Sequence, residues 1–445
     1  MRKFILSILL LLSFATSSFA EFGGSPFGLE KFGTVAFGVG RFGESTSMVQ
    51  QLQAIGGLTF FKDYRENKAS LNADFSVGSP TATYNATRSA SAPATYVDGT
   101  GVIQLLTTSD VRRRQGGYYD ATGFHVQSGE MIETPAENLV PKSKVFNDAT
   151  WTASNLTPAD NEVLSPDGTT NAASLTATAA NGSLLLATSV TAQTFSVWLK
   201  RKTGTGTVKI TANGGTNWTE VTLTTSWRRF QETRASASQK CGIQIVTDTD
   251  AVYVWGAQFE DWPHATSFVP TTSVARTRPA ETLKYVISGN RTAAIETMIV
   301  KFASDSNFAN DGKNRYLLAT DTKNRLLYKV SNLTTVKGMA NSTDSSAAHV
   351  TSTSSLLGNT SYIVAVVMYG ETAATNMEIY FNGVSEATDA DNYTANAWGT
   401  SFYVGDSVGG GDHLNGIVQS VVFYNRALSA PEVVLVGSIL NNGSL

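Results

Sequence analysis

The string GDSVG at 405–409 matches the G-x-S-x-G pattern of serine hydrolases, and Asp412 and His413 follow it closely. A nucleophilic serine of that kind stands on a sharp turn that leads directly into a helix. The glycines at 409–411 exclude a helix here, because glycine is a poor helix former. The sequence therefore predicts a polar loop, in which Asp406 and Asp412 offer carboxylate oxygens and the serine is not a nucleophile.

A second possible chemistry is glycoside cleavage, which needs two carboxylates that face each other across the scissile bond. Adjacent residues of a strand point to opposite sides of the sheet, so Glu260 and Asp261 are predicted to lie in a solvated turn. No E-x-D-x-x-E string places carboxylates at alternate strand positions. We predict no catalytic residue and a protein that is not an enzyme, with a glycan-degrading hydrolase as a remote alternative.

One aromatic residue is placed by its strand pattern where it could bind a ligand. The stretch FSVWLK at 195–200 alternates apolar and polar residues, so Trp198 shares the more polar face with Lys200. An indole ring on such a face can stack on the apolar side of a sugar. The alternative is that a loop or a neighbouring domain covers this ring. Trp227 and Trp255 are predicted to be packing residues.

Composition limits the classes of partner. The chain has 445 residues, of which 16% are charged, and a formal net charge of -3. This balance gives no electrostatic reason to expect nucleic acid or an anionic membrane as a partner. The basic run at 112–114 is interpreted as a solvated turn, with an anionic glycan or phosphate as the alternative ligand. Cys241 is the single cysteine, which excludes an internal disulfide or a thiolate metal cluster.

The N-terminal region differs from the rest of the chain. Two basic residues precede an apolar run at 4–14 and the small-residue positions at 18–20, a pattern typical of a cleaved secretory signal. Phe-Gly pairs then recur every five residues at 22–43, which indicates a flexible linker or an attachment segment. The apolar spacing at 48–58 predicts a short helix.

The remaining chain is patterned for short strands and tight turns. DGTG at 98–101 and DATG at 120–123 indicate hairpins, and Asn382-Gly383 predicts a type I′ turn. The spacing of Ser429 and Glu432 matches a capping box, so a helix should follow. In the last module, strands are predicted at 295–302, 316–318, 325–329, 362–368, 377–381, 402–404 and 417–423.

Two sets of motifs resemble known families. ATYVD at 94–98, GEMIE at 129–133 and VWGAQFE at 254–260 resemble segments of phage head-fibre and tail-fibre proteins that carry a jelly roll like a carbohydrate-binding module. GIVQSVVFYNRALS at 416–429 resembles the closing motif of concanavalin A-like, laminin-G-like domains. The second resemblance implies that loop oxygens at the sandwich rim could hold calcium, with Asp406 and Asp412 as the candidates and a plain polar loop as the alternative.

The sequence thus predicts an all-β protein of tandem β-sandwiches, a jelly roll followed by a concanavalin A-like sandwich. The expected parts are a signal peptide at 1–20, an attachment segment at 21–57, a fibre-like β region at 58–139, the jelly roll at 140–275 and the last sandwich at 276–445. The resemblances imply a glycan-binding fibre or spike component of a virion, or else a secreted adhesin. We expect Trp198, Asp406 and Asp412 to contact the glycan, and the chain to form a homo-oligomer, most simply a trimer, that attaches through its N-terminal segment to a virion or an envelope.

Overall fold

The computed structural model describes residues 47–65, 74–76, 83–85, 91–107, 114–291, 295–304, 314–320, 325–329, 335–339, 349–371, 373–391, 399–407 and 411–442. The expected secretory signal and the Phe-Gly repeat lie outside the described residues, as do two of the three arginines at 112–114. The fold is nearly all-β, which confirms the predicted fold class.

Three stretches of the chain supply the elements. The first contains α1 (Met48–Ala54), β1 (Leu58–Asp63), β2 (Asp74–Ser76), β3 (Thr83–Asn85), β4 (Ala94–Val97), β5 (Ile103–Leu106), β6 (Arg114–Asp120), β7 (Gly123–Ile132) and β8 (Ala136–Asn138). The second contains β9 (Trp151–Ser154), β10 (Leu156–Leu164), β11 (Thr170–Ala177), β12 (Gly182–Thr203), β13 (Val208–Thr211), β14 (Thr219–Val221), β15 (Arg228–Ile245) and β16 (Ala251–Glu260). The third contains β17 (Arg276–Arg278), β18 (Thr282–Val286), β19 (Glu296–Ser304), β20 (Arg315–Thr320), β21 (Arg325–Lys329), β22 (Val336–Met339), β23 (His349–Thr351), β24 (Ser361–Met368), β25 (Met377–Phe381), β26 (Val384–Asp389), β27 (Ser401–Val404), β28 (Gly416–Tyr424) and α2 (Ala430–Asn442).

Two sheets enclose the core of the larger sandwich. One has the order β2-β1-β28-β19-β24-β25-β26, with β7 also paired to β28, and the other has the order β23-β22-β21-β20-β27-β18-β3. Buried side chains from both sheets form a single cluster that includes Phe60, Met298, Phe402 and Phe423. The strands predicted for the last module are all present, and most of them are rich in the β-branched and aromatic residues that favour strands.

The first stretch of the chain is part of this larger sandwich. Phe61 of β1 pairs with Val422 of β28, and β3 pairs with β18. The hydroxyl of Tyr64 lies 3.1 Å from that of Tyr285. The fibre-like region expected at 58–139 is therefore not separate from the last module. Local patterns cannot reveal this, because β1 lies far from β28 in sequence.

Both described helices cover the outer face of the first sheet. Leu52 of α1 and Val436 of α2 share a buried cluster with Val422. The α1 helix begins with a capping box between Ser47 and Gln50, and the amide of Ser429 donates to Glu432 at the start of α2. Both predicted helices are thereby confirmed. Among the described residues, no helix has the length and apolarity needed to cross a membrane.

The middle stretch folds into a second sandwich. Its strands β12 and β15 are long, and irregular registers near Ala187 and Ala192 let both strands bend. One half of each long strand lies in a layer with β10, β11 and β16. The other half lies in a second layer with β9, β13 and β14. Side chains from both halves meet in one core, which includes Leu184, Phe195 and Val254. This part of the chain therefore has two layers that share their long strands.

The second sandwich is inserted into the first. The chain leaves the larger sandwich through β8 and returns through β17, and these two strands pair with each other, with Asn138 opposite Arg276. Arg278 at the end of β17 is fully buried between Glu133 and Glu281. The two segments that connect the sandwiches, β8 and β17, thus lie side by side. The inserted sandwich is therefore held by a two-stranded connection rather than by a single linker.

Candidate binding cleft and its surroundings

Trp198 is the centre of a buried aromatic cluster. Its ring centroid lies 5.2 Å from that of Trp255, 5.5 Å from that of Phe268 and 6.4 Å from that of Tyr119. The side chain is 2% exposed. The alternation of the strand is as predicted, because Phe195 enters the sandwich core and Trp198 points to the opposite face. Other parts of the chain thus cover most of that face, which is the alternative that the sequence left open, although Trp198 also lines part of the cleft described below.

The cover consists of the hairpins β4-β5 and β6-β7. The Thr95 hydroxyl donates to the Phe268 carbonyl at 2.5 Å, and the amide of Ile103 donates to the carbonyl of Pro166 at 2.9 Å. The Tyr119 hydroxyl donates to the Gly101 carbonyl at 2.7 Å, which joins the two hairpins. Hydrogen bonds therefore fix the hairpins on the outer face of the inserted sandwich and exclude solvent from Trp198.

A cleft of about 630 Å³ opens beside this cluster. The hairpins, the inserted sandwich and the rim of the larger sandwich all contribute to its walls. Aromatic and polar side chains share the lining, among them Tyr96, Tyr118, Tyr119, Asp120, Gln127, Glu133, Glu220, Arg229 and Gln231. A concave site of this volume, with aromatic walls and a few polar groups, has the properties of a small-ligand site.

Tyr118 is held in place on the hairpin wall. It is half-buried and stacks on His125, the residue directly opposite on β7, with ring centroids 4.9 Å apart and an interplanar angle of 18°. His125 Nε2 lies 3.0 Å from Asp120 Oδ1, which also accepts from the Thr122 amide and hydroxyl at 2.7 Å. Although burial opposes it, these hydrogen bonds lower the pKa of Asp120, so the carboxylate is ionised at neutral pH.

Arg229 lines the cleft, but its charge is already engaged. Its guanidinium carbon lies 4.5 Å from the centroid of the Trp198 ring. Nη1 donates to the Thr266 carbonyl at 2.7 Å and Nη2 donates to the Ser196 hydroxyl at 3.0 Å. The carboxylates of Asp120 and Glu220 also line the cleft. The charge of the cleft therefore does not favour an anionic ligand, because its two carboxylates are negative and the donors of Arg229 are already used.

The amide side chains of the cleft connect its walls. Gln127 donates to the Asn359 carbonyl at 3.0 Å, which joins the hairpin to the larger sandwich. Gln231 Oε1 accepts from the Ala265 amide at 3.1 Å. Each amide retains further hydrogen-bonding capacity, because a glutamine side chain carries two donors and two acceptor positions. The sequence did not reveal these residues, since they come together only in the folded chain.

Asp406 and Asp412 lie in the loop between β27 and β28, as predicted, but they do not form an open acidic site. The Asp406 side chain is buried, accepts from the Thr282 hydroxyl at 3.2 Å and lies 3.5 Å from Nε2 of buried His413. Burial raises the pKa of Asp406 to about 7 and lowers that of His413 to about 4. Asp412 is half-buried.

The residues present do not match the expected calcium site. Calcium requires six to eight oxygen ligands, with ionised carboxylates that the ion can reach. Asp406 is enclosed, and burial raises its pKa to about 7, so its ionised carboxylate is less favoured at neutral pH than that of an exposed aspartate. Over the described ranges, no group of three or more acidic, histidine or cysteine side chains is arranged to hold a metal ion. Direct contact between Asp406 and a glycan is excluded by the same burial.

Glu260 also differs from its prediction. The sequence predicts a solvated turn, yet the Glu260 side chain is fully buried and accepts hydrogen bonds from the amide and the hydroxyl of Thr266. Burial raises its pKa despite these hydrogen bonds. Asp261, the next residue, is exposed as expected. The two carboxylates therefore do not face each other.

The fold defines a nearly all-β protein of two sandwiches. Residues 300–434 match the family model described as the Concanavalin A-like lectin/glucanases superfamily, so this part of the chain is a concanavalin A-like domain. The matched segment begins within β19, whereas the structure completes the same sandwich with β1, β2, β3 and β7. No curated protein is significantly similar to the chain.

Several solved structures are similar to parts of the chain. The binding domain of botulinum neurotoxin DC in complex with rat synaptotagmin II matches with a TM-score of 0.29 and 12% identity, over 36% of this chain and 40% of that chain. A Trypanosoma rangeli sialidase matches with a TM-score of 0.28 and 17% identity, over 36% of this chain and 26% of that chain. A heptameric SAP-like pentraxin from Limulus polyphemus matches with a TM-score of 0.24 and 16% identity, over 32% of this chain and 68% of that chain. The chain thus spans less than half of the first two proteins, and similarities at TM-scores this low carry no information about activity.

Proposed function

We propose that this protein is a non-enzymatic glycan-binding protein that takes a neutral saccharide in the cleft. The observation that carries this proposal is the combination of tyrosine rings with amide and carboxylate groups around one concave volume. Tyrosine rings offer a rigid apolar surface to the face of a sugar. Amides and carboxylates offer acceptors and donors to its hydroxyl groups. The ionised Asp120 disfavours sugars that carry a negative charge.

The larger role that we propose is that of a phage-type fibre or spike component that recognises carbohydrate on a host surface. The resemblance of residues 94–133 and 254–260 to phage fibre segments supports it. The lectin-type domain at 300–434 agrees with a role in surface recognition. In this role the chain is displayed on the virion surface as a trimer, and the segment at 21–57 attaches it to the particle.

A second candidate is a secreted bacterial adhesin or glycan-capture protein. The pattern of a secretory signal at 1–20 favours it, because a virion protein assembled in the cytoplasm needs no such signal. N-terminal sequencing of the native protein distinguishes the two candidates. A mature chain that begins at Glu21 supports the secreted protein, whereas a chain that retains Met1 supports the virion component.

Glycan binding itself is tested with the labelled full chain on a glycan array. Replacing Tyr118 by alanine removes a cleft ring that is half-buried, so the strongest neutral signals should fall by about tenfold or more. Tyr403→Ala is the matched control, because Tyr403 is also half-buried and does not line the cleft. An unchanged array profile for Tyr118→Ala, or no signal from the unaltered protein, would refute the cleft as the glycan site.

A further inference from the structure

A second aromatic row lies on the same face of the inserted sandwich as Trp198. Lys200 of β12 pairs with Tyr253 of β16, and the pairing of Leu199 with Arg228 places Trp227 beside Lys200 on its other side. We call Trp227, Lys200 and Tyr253 the Lys200 row. Side chains alternate along a strand, so this row lies one step beyond the row that contains Trp198.

The ammonium group of Lys200 lies against two rings. Its Nζ is 4.7 Å from the centroid of Trp227 and 5.3 Å from that of Tyr253. Aromatic faces are electron-rich, so both rings stabilise the cation. All three side chains are half-buried, and this burial lowers the pKa of Lys200. Lys200 therefore has a defined position, unlike a freely moving surface lysine.

Within the described residues, no carboxylate lies within ion-pairing distance of the Lys200 ammonium group, whereas several other lysines of the inserted sandwich are paired. In the part of the chain that the structure describes, neither a hydrogen bond nor an ion pair is found for its ammonium group. Three other lysines of the inserted sandwich form ion pairs: Lys142 with Asp148, Lys144 with Asp167 and Lys202 with Glu162. Lys202 also lies over Tyr253, at 5.3 Å, so two ammonium groups lie against that ring, and one of them is paired with the carboxylate of Glu162. The local charge is positive.

The row that contains Trp198 shows how such a cation is satisfied elsewhere. There, Arg229 lies over Trp198, and oxygens of Thr266 and Ser196 accept from its guanidinium. The hairpins cover that row, whereas the Lys200 row is partly open to solvent. We propose that the Lys200 row binds the carboxylate or sulfate group of an acidic saccharide, whose oxygens take the part that Thr266 and Ser196 take for Arg229.

This site is separate from the proposed cleft and selects the opposite charge. The cleft carries Asp120 and Glu220, while the Lys200 row and the adjacent Lys202 carry two ammonium groups with one paired carboxylate, that of Glu162. None of the three residues of the Lys200 row lines the cleft. A glycan chain with both neutral and acidic sugars could thus occupy both sites. Each site can also fail independently of the other, because different variants remove them.

The experiment measures binding of the full chain to an oligogalacturonate and to its fully methyl-esterified form by isothermal titration. Both probes share one backbone and differ in charge. The charged probe should bind more tightly by about tenfold, since a hydrogen bond to a charged group is lost with the ester. Lys200→Met should weaken binding of the charged probe by about tenfold and leave the esterified probe unchanged. A heparin oligosaccharide tests whether sulfate substitutes for carboxylate.

Three controls make the result decisive. Lys209→Met removes a half-buried lysine from the other layer of the same sandwich and should leave binding unchanged. Lys200→Arg retains the cation and should preserve binding within about threefold. Tyr118→Ala should not affect the charged probe, because it alters only the cleft. Equal binding of the charged probe to the unaltered protein and Lys200→Met, or no binding of either acidic probe to the unaltered protein, would overturn the proposal.

Discussion

A guanidinium nitrogen of Arg278 lies 3.4 Å from a carboxylate oxygen of Glu133, and both side chains are buried. Arg278 stands where the chain returns from the inserted sandwich, and Glu133 stands where the chain leaves the larger one. Glu281 accepts from the same guanidinium at 3.1 Å, and the Thr134 carbonyl does so at 2.7 Å. This cluster ties the two crossings together and also reaches the inserted sandwich, because Glu133 accepts from the Ser267 amide and hydroxyl.

Removing the cation from this cluster should destabilise the fold. In Arg278→Met, Glu133 and Glu281 would remain buried without their cation, which costs about 3–5 kcal/mol for a broken buried pair. Urea unfolding followed by tryptophan fluorescence measures the loss. Arg276→Met alters a half-buried arginine of the same strand and should cost less than about 1 kcal/mol. Equal stability of the two variants would show that the cluster contributes little.

Trp198 should behave as a core residue. Trp198→Ala removes a ring that is 2% exposed and contacts Trp255, Phe268 and Tyr119, so the free energy of unfolding should fall by about 3–5 kcal/mol. Thermal unfolding checks this. Trp218→Ala, which removes a half-buried indole from the same sandwich, should have a clearly smaller effect. A melting temperature that stays within a few degrees for Trp198→Ala would contradict the buried position.

Local features of the fold could be predicted because short-range chemistry determines them. Asn382 and Gly383 have φ values of 50° and 84°, the positive values that a type I′ turn requires. The capping residues Ser429 and Glu432 likewise indicated where α2 begins. In each case the residues that decide the structure lie within a few positions of one another, so the sequence pattern is sufficient.

The burial of Trp198 could not be predicted in the same way. Alternation along β12 correctly separated Trp198 from Phe195, yet whether its face is open depends on Tyr119 and the hairpins, which lie in a different part of the chain. The glycine in VWGAQ at 254–258 is one local signal of this burial. Gly256 has a φ of 66°, and a Cβ there would lie 2.8 Å from Cε3 of Trp198. The glycine that follows Trp255 is therefore a sequence signal that the backbone at this position lies close to the Trp198 ring.

The sequence pattern does not reveal the cleft or the Lys200 row, because both depend on strand register and on contacts between distant parts of the chain. The Lys200 row needs β12, β15 and β16 to be aligned before Trp227 and Tyr253 are seen to flank Lys200. The cleft likewise needs Tyr118 on a hairpin to face residues of another sandwich. The sequence instead predicts Asp406 and Asp412 as site residues, because both lie in a loop. Position along the chain does not reveal that Asp406 is enclosed by Thr282 and His413.

The Phe-Gly repeat should control assembly. We predict that the mature protein is a trimer and that deletion of residues 22–43 yields a monomer whose thermal unfolding is unchanged, because the regular Phe-Gly spacing indicates a linker or attachment segment. Light scattering at micromolar concentration measures the mass. Replacing only the five phenylalanines of the repeat by serine keeps the length and should have the same effect. A monomeric mature protein, or a trimer that survives both changes, would contradict this prediction.

Asp406 and His413 should give the stability of the protein two opposing pH dependences. Burial raises the pKa of Asp406 from 3.8 to about 7, so between these values the folded state holds a proton that the unfolded chain has released. The contribution of Asp406 to the free energy of unfolding therefore falls as pH rises from about 4 to about 7. Burial lowers the pKa of His413 from 6.5 to about 4, so the contribution of His413 rises with pH between about 4 and 6.5.

Single substitutions should separate the two effects. Asp406→Asn keeps a buried side chain of similar shape and removes the falling contribution, so its stability should rise more steeply than that of the unaltered protein between about pH 4 and 6.5. His413→Gln should instead become less stable as pH rises from about 4 to about 7, because the titration of Asp406 remains. Urea midpoints measured at intervals of half a pH unit provide the test. Parallel pH profiles for all three proteins would show that neither group titrates out of its ordinary range, since the difference between profiles reports the titration of the replaced group alone.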